Sequence, residues 1–199
     1  MRTNIILLAT AAAAFAFTAN QASAQEFTGP RAEITAGYDT TNADDGVVAT
    51  PNKIDGVRIG GAVGYDFAVG DTIRIGAEAG IGFLASGDAR YAAGTSSYRL
   101  TTGRDLDLSL RIGAKVGDKT LVYAKGGWAN SQYRARAVIG GVGGPTATDV
   151  RTNEDGWRIG AGVEHMITDK IYAKGEYRYT NYGNDVSRHQ LLAGVGYRF

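Results

Sequence analysis

The chain has no cysteine and only three prolines among its 199 residues. No disulfide can staple it, so its stability has to come from strand pairing and burial. Scarce proline beside 29 glycines and 11 tyrosines argues against a collagen-like or disordered polymer and for many short strands and turns. Neither sign of charge is in excess. Lys and Arg total 21 and Asp and Glu total 20, which excludes the strong basic surplus of a nucleic-acid binder. Beyond residue 24, no apolar run approaches the ~20 residues that a membrane helix needs.

The first residues do carry a short apolar run, 5–17, preceded by Arg2 and followed by Ala22-Ser23-Ala24. A positive start, a core too short to span a bilayer and a small-x-small ending describe a cleavable secretory signal. Residues 1–24 are therefore predicted to be a signal peptide, with Ala22 and Ala24 at the cleavage site, and residues 25–199 to be one domain. Removing Arg2 leaves 20 charges of each sign, so the mature domain is neutral.

What fills the domain is alternation. In residues 57–67 the odd positions read Val, Ile, Gly, Val, Tyr, Phe and the even ones Arg, Gly, Ala, Gly, Asp. Residues 73–83, 106–116, 157–164, 173–179 and 190–199 follow the same period of two, which belongs to strands with one apolar and one polar or small face. Residues 31–39 and 120–131 complete a set of eight. In 120–131 the apolar face is assigned to Val122, Ala124, Gly126 and Trp128, which leaves Leu121 and Tyr123 opposite, and a bulge is expected there to shift the register. Arg-Ile-Gly recurs at 58–60, 74–76, 111–113 and 158–160, and Tyr-Ala-Lys-Gly at 123–126 and 172–175. The last two Arg-Ile-Gly copies each lead through a short turn into one Tyr-Ala-Lys-Gly strand, so the repeating unit is a hairpin.

Connections alternate in length. Residues 68–71, 117–119 and 168–170 are tight turns; 40–54, 86–104 and 132–153 read as long polar loops, and 181–187 as a shorter one. Short turns on one side and long loops on the other are the layout of an outer-membrane barrel. A soluble barrel of the lipocalin or avidin kind would instead turn the apolar face inward. The aromatic residues decide between them. Tyr38, Phe83, Trp157 and Tyr179 collect at one end of the apolar face and Tyr65, Phe67, Tyr197 and Phe199 at the other, as two girdles. The predicted fold is all-β: an eight-stranded antiparallel up-and-down transmembrane β-barrel behind a signal peptide.

The ending Leu192-Ala193-Gly194-Val195-Gly196-Tyr197-Arg198-Phe199 resembles the C-terminal signal read by the outer-membrane assembly machinery, with Gly194, Tyr197 and Phe199 in its glycine and aromatic positions. Leu192 stands where a polar residue is usual. The stretches 156–164 and 176–179 resemble the small OmpA-like and opacity-like outer-membrane barrels, the porin family, over essentially the whole mature chain. That resemblance implies a location and a fold and says little about activity.

Candidate functional residues are the charges on the polar face: Glu33, Arg58, Arg74, Glu78, Arg111, Lys115, Lys125, Arg158, Glu164, Lys174, Glu176 and Arg178. An eight-stranded barrel is just wide enough for side chains, so these are expected to form an ion-paired plug, the alternative being a narrow ion or water path. Asp185, Ser187 and His189 lie close together, but their order is reversed relative to outer-membrane lipid-A deacylases, and no catalytic residue is assigned. His165 alone cannot make a metal site. No cofactor or metal is expected. Expected partners are outer-membrane lipid and the assembly machinery. Arg90, Arg99, Arg104, Arg134, Arg136 and Arg151 lie in the predicted loops and suit lipopolysaccharide phosphates. The expected role is structural or envelope-maintaining, with a small-solute channel and a surface binding protein as the alternatives.

Overall fold

Residues 27–43, 53–87, 89–94, 96–139, 144, 146–183 and 186–199 are described by the structure, a computed structural model. The period-two segments form strands β1 (Gly29–Ala43), β2 (Lys53–Val69), β3 (Ile73–Ser86), β4 (Ala89–Ala93), β5 (Ser96–Val116), β6 (Thr120–Ile139), β7 (Thr146–Met166), β8 (Ile171–Asn181) and β9 (Val186–Arg198). All pairings are antiparallel. β1 pairs with both β2 and β9, and β3 pairs with β5, so eight strands close on themselves. β4 pairs with β5 alone and forms a short hairpin on its far end. The predicted signal segment, with Ala22 and Ala24, lies outside the described residues.

Tight turns join the strands at one end. Gly70 and Gly117 adopt φ of 68° and 69°, a left-handed conformation that a side chain would strain. In the third turn the Thr168 hydroxyl accepts the backbone N–H groups of Lys170 and Ile171, at 3.3 and 3.0 Å, so a side chain replaces the turn's missing acceptor.

The faces are inverted relative to a water-soluble fold. Arg158 is 1% exposed, while its neighbour Ile159 is 51% exposed. The same holds around the wall: Ile34, Val63, Ile75, Leu110, Ile112 and Val195 point outward, and the charged residues between them point in. An apolar outer band with a polar interior minimises free energy only where the surroundings are hydrocarbon. Inward glycines make room for the long interior side chains. A Cβ on Gly64 would come within 2.8 Å of the Arg31 guanidinium, and one on Gly80 within 2.6 Å of the Asp107 carboxylate.

Three sequence expectations change. The predicted long loops 86–104 and 132–153 are largely strand, because β5, β6 and β7 stay paired from Ser97↔Val138 and Ile139↔Thr146 down to the barrel. On β7 both faces are exposed from 146 to 153, so this extension lacks the apolar alternation that marks the wall. The bulge expected in 120–131 is absent from that segment, and Leu121 and Tyr123 simply point inward. A register shift occurs instead in β5, between Thr102 and Asp105. Another separates Val57 from Arg58 in the pairing of β2 with β3.

Candidate functional site

The interior is a stack of ionic layers. Nearest the tight turns, an apolar stopper of Phe27, Leu121, Met166 and Tyr172 fills the mouth. The Arg198 guanidinium lies 5.3 Å from the Phe27 ring and 5.2 Å from that of Tyr172. Phe27 holds φ of 61° to reach this position, an uncommon conformation for a bulky residue. At the same end Arg74 is buried and donates to the backbone carbonyls of Gly70 and Asp71 in the first turn and of Ile73, the last at 2.9 Å.

Above the stopper, Asp66 accepts from Arg31 at 3.1 Å, from Arg111 at 2.6 Å and from Arg198 at 2.8 Å. Glu164 binds Arg111 at 2.5 Å and Arg198 at 2.6 Å. In the next layer Lys174 reaches Glu33 at 2.6 Å and Glu176 at 2.9 Å, and Lys125 reaches Glu78 at 2.6 Å and Glu176 at 2.9 Å. Arg31 joins the layers through Glu78, at 2.7 Å. Tyr123 and Arg178 donate to Glu176 as well. Further out, Arg158 binds Asp105 at 2.8 Å and Asp107 at 3.1 Å, and Arg58 binds Asp39 at 2.5 Å. At the far mouth Arg188 contacts Asp105 at 3.3 Å and the hydroxyls of Tyr133 and Tyr182 at 2.8 and 2.9 Å. Burial pushes both tyrosine hydroxyls above their usual pKa range, so they stay neutral while accepting from Arg188, and Tyr182 donates in turn to Asp105.

Eleven of the twelve inward charges named from sequence are buried in this stack: Glu33, Arg58, Arg74, Glu78, Arg111, Lys125, Arg158, Glu164, Lys174, Glu176 and Arg178. Lys115, near the turn end of β5, is half-buried. Arg31, Asp39, Asp66, Asp105, Asp107, Arg188 and Arg198 belong to the same stack but were missed. Arg31, Asp39, Asp66, Asp107 and Arg198 lie on the polar phase of segments already read as strands but were left out of the candidate set, and extending the alternation past 106 and 190 would have added Asp105 and Arg188. Among the described residues the buried set comprises ten bases and eight acids. Near balance allows almost every charge an opposite partner, which a buried charge requires. A void lined by Arg58, Asp105, Asp107 and Arg178 measures about 10 Å³, room for one water.

The His189 Nδ1 atom lies 2.6 Å from the Tyr177 hydroxyl, its ring is 5.0 Å from that of Tyr179, and Asp185 lies outside the described residues. His165 pairs with Thr120 at 3.0 Å near the turn end of the barrel. Gly194, Tyr197 and Phe199 close the last strand. The Tyr197 and Phe199 rings meet edge to face at 5.1 Å, and the Phe199 N–H donates to the Pro30 carbonyl.

A family model described as the outer membrane protein beta-barrel domain matches residues 9–199. The chain belongs to this family. The barrel accordingly resides in the cell outer membrane, with its apolar face toward lipid. Similar curated proteins include the 25 kDa outer-membrane immunogenic protein of Brucella ovis, 28% identical over 147 residues, covering 74% of this chain and 66% of that protein. The protein of the same name from Brucella abortus is 30% identical over 163 residues, covering 74% and 68%. The chain thus spans about two thirds of the length of these relatives. Among solved structures, Neisserial surface protein A matches with a TM-score of 0.57 at 18% identity, covering 86% of this chain and 98% of that one. Ail, the attachment invasion locus protein of Yersinia pestis, matches with a TM-score of 0.54 at 13% identity, covering 87% and 100%. At such identities these two outer-membrane barrels share the fold.

Proposed function

We propose that this outer-membrane barrel is a non-catalytic structural element of the envelope whose lumen is closed by its own ion pairs. The observation that carries the reading is the continuity of the ionic stack, from the apolar stopper at Phe27 to Arg188 at the far mouth. Each carboxylate in it has at least one basic partner, and several have two or three. Opening a water path means separating pairs that sit in a low-dielectric interior, where an unpaired charge is expensive.

In planar bilayers the purified protein is expected to be silent or to conduct only in rare, small steps. Glu78→Gln with Glu164→Gln removes the negative charges paired with Arg31, Lys125, Arg111 and Arg198. That variant is expected to show more frequent openings. Steady, large channels from the unmodified protein would overturn the plug and make a small-solute channel the better reading.

The closing strand carries the proposed assembly role. Removing Phe199 takes away the Tyr197 ring contact and the link to Pro30 while leaving the ionic stack intact. The truncated chain is expected to insert slowly and to accumulate as protease-sensitive material in the periplasm. Wild-type levels of folded protein in the outer membrane would remove Phe199 from any assembly signal.

A further inference from the structure

Beyond the barrel wall, β5, β6 and β7 continue as a blade whose two faces differ. On β6 and β7 the lipid-facing phase runs outward from the Trp128↔Trp157 pair. Two amide-rich rows come first: Asn130 bonds Asp155 at 2.8 Å, and Gln132 faces Asn153. Then come Arg134 opposite Arg151 and Arg136 opposite Asp149. The opposite face looks over the mouth, where Tyr133 meets Arg188.

β5 joins this outward face only because of its register shift. Below the shift the even positions Leu108, Leu110 and Ile112 face lipid. Asp105 pairs with Ser131 and Thr102 with Tyr133, so Gly103 and Arg104 together oppose Gln132. The extra residue reverses the phase. Thr102 is turned inward, Thr101 lies opposite Arg134, and Arg99 lies opposite Arg136. Arg90 of β4 occupies the register position opposite Arg99.

The outward register positions of the β5–β7 extension thus hold Arg99, Arg134, Arg136 and Arg151, all exposed, with Asp149 in the same rows and Asp155 two rows below. Asp149 lies 3.9 Å from Arg134 with both side chains about half exposed, a weak pair. Like charges directly across a strand pair repel. Arg134↔Arg151 is such a pair, and with Arg99 and Arg136 in the neighbouring register positions it concentrates positive charge that favours a bridging anionic ligand. Guanidinium groups suit phosphate, which they bind in bidentate fashion.

Position selects the source of that phosphate. Arg134 and Arg136 lie six and eight residues beyond Trp128. At about 3.3 Å per residue and a strand tilt near 40°, they stand roughly 15–20 Å above the aromatic girdle. The headgroup layer adds only about 5–8 Å to the hydrocarbon on each side. The arginine rows therefore clear the headgroups, yet they sit on the continuation of the lipid-facing wall and look along the membrane rather than away from it. The material at that height and in that direction is the saccharide layer of neighbouring glycolipids.

We propose that Arg99, Arg134, Arg136 and Arg151 bind phosphate groups on the core saccharide of lipopolysaccharide in the surrounding outer leaflet. The site is independent of whether the lumen conducts.

The test compares binding of the folded, detergent-solubilised protein to three probes: lipopolysaccharide with a phosphorylated core, the same material after dephosphorylation, and lipid A without core sugars. The first is expected to bind at least roughly tenfold more tightly than the other two. The combined Arg99→Gln, Arg134→Gln, Arg136→Gln and Arg151→Gln variant is expected to lose that preference, with its folded state checked by heat-dependent gel mobility. Thr101→Arg adds a base on the same face and is expected to tighten binding several-fold, which gives a reading should the fourfold variant misfold. Equal binding of all three probes, an unchanged preference in the folded fourfold variant, or no gain from Thr101→Arg overturns the proposal. So does tighter binding of a soluble sulfated polysaccharide such as heparin, which would point to an external polyanion.

Discussion

Glu164→Gln is expected to lower the stability of the folded barrel by about 3–5 kcal/mol, the range for removing one partner of a buried ion pair. Glu164 is fully buried and takes hydrogen bonds from Arg111 at 2.5 Å and Arg198 at 2.6 Å. Both arginines keep Asp66 as a second partner. Asp66 would then be the one carboxylate left to Arg111 and Arg198, while it also binds Arg31, which Glu33 and Glu78 share. The neutral amide can still accept one hydrogen bond but cannot offset the excess positive charge in a medium that screens poorly. Urea titration of the protein folded in lipid or detergent, followed by tryptophan fluorescence, reads the loss. Asp149→Asn is the control, because its contact with Arg134 is long and half exposed. It is expected to move the midpoint by a few tenths of a kcal/mol at most. Equal, small effects from both substitutions would show that the interior pairs contribute no more than surface ones.

Ile34→Arg is expected to cost about 2–4 kcal/mol, and Ile159→Arg no more than about 1 kcal/mol. Both side chains face outward, at 71% and 51% exposure. They differ in depth. Ile34 lies midway along β1 between the turn-end Gly29 and the girdle residue Tyr38, which places it near the centre of the hydrocarbon. Ile159 lies two residues below Trp157, where an arginine can reach the headgroups. The same unfolding titration separates them. Reversal of the order would mean that the aromatic residues do not mark the bilayer edge. If neither substitution had a cost, the outer face would not be in hydrocarbon at all.

The wall was legible because one face of each strand meets lipid and the other meets charge, which writes a period of two into the sequence. Arg158 and Ile159 follow from that pattern alone. Asp105 and Arg188 did not, because they lie just beyond the segments 106–116 and 190–199, where the wall ends and apolar neighbours thin out. The extensions at Ser97–Thr102, 132–139 and 146–153 were read as loops for a related reason. Water bathes both faces of β7 from 146 to 153, so no alternation of hydropathy is required for strand pairing there. The reversal at Gly103–Arg104 has no local signature, and without it Arg99 would be assigned to the opposite face. Phe27 falls in the first residues after the predicted cleavage site, where no alternation exists, and only tertiary contact reveals it as the stopper.

Closure of the wall by β1 and β9 sets the order in which the interior can form. Glu33 meets Lys174 across 141 residues of chain, and Asp39 meets Gln190 across 151. Contacts of such sequence separation give the barrel a high contact order, and their loop-closure entropy must be met before they return any energy. Until the last strand docks, β1 has no partner on one side and its charges remain in water. The ionic stack therefore contributes little to a nascent hairpin or half-barrel and its full stabilisation only to the completed cylinder. A partly wound chain has no comparable resting state, so the inserted barrel behaves as one cooperative unit rather than as a series of independently stable hairpins.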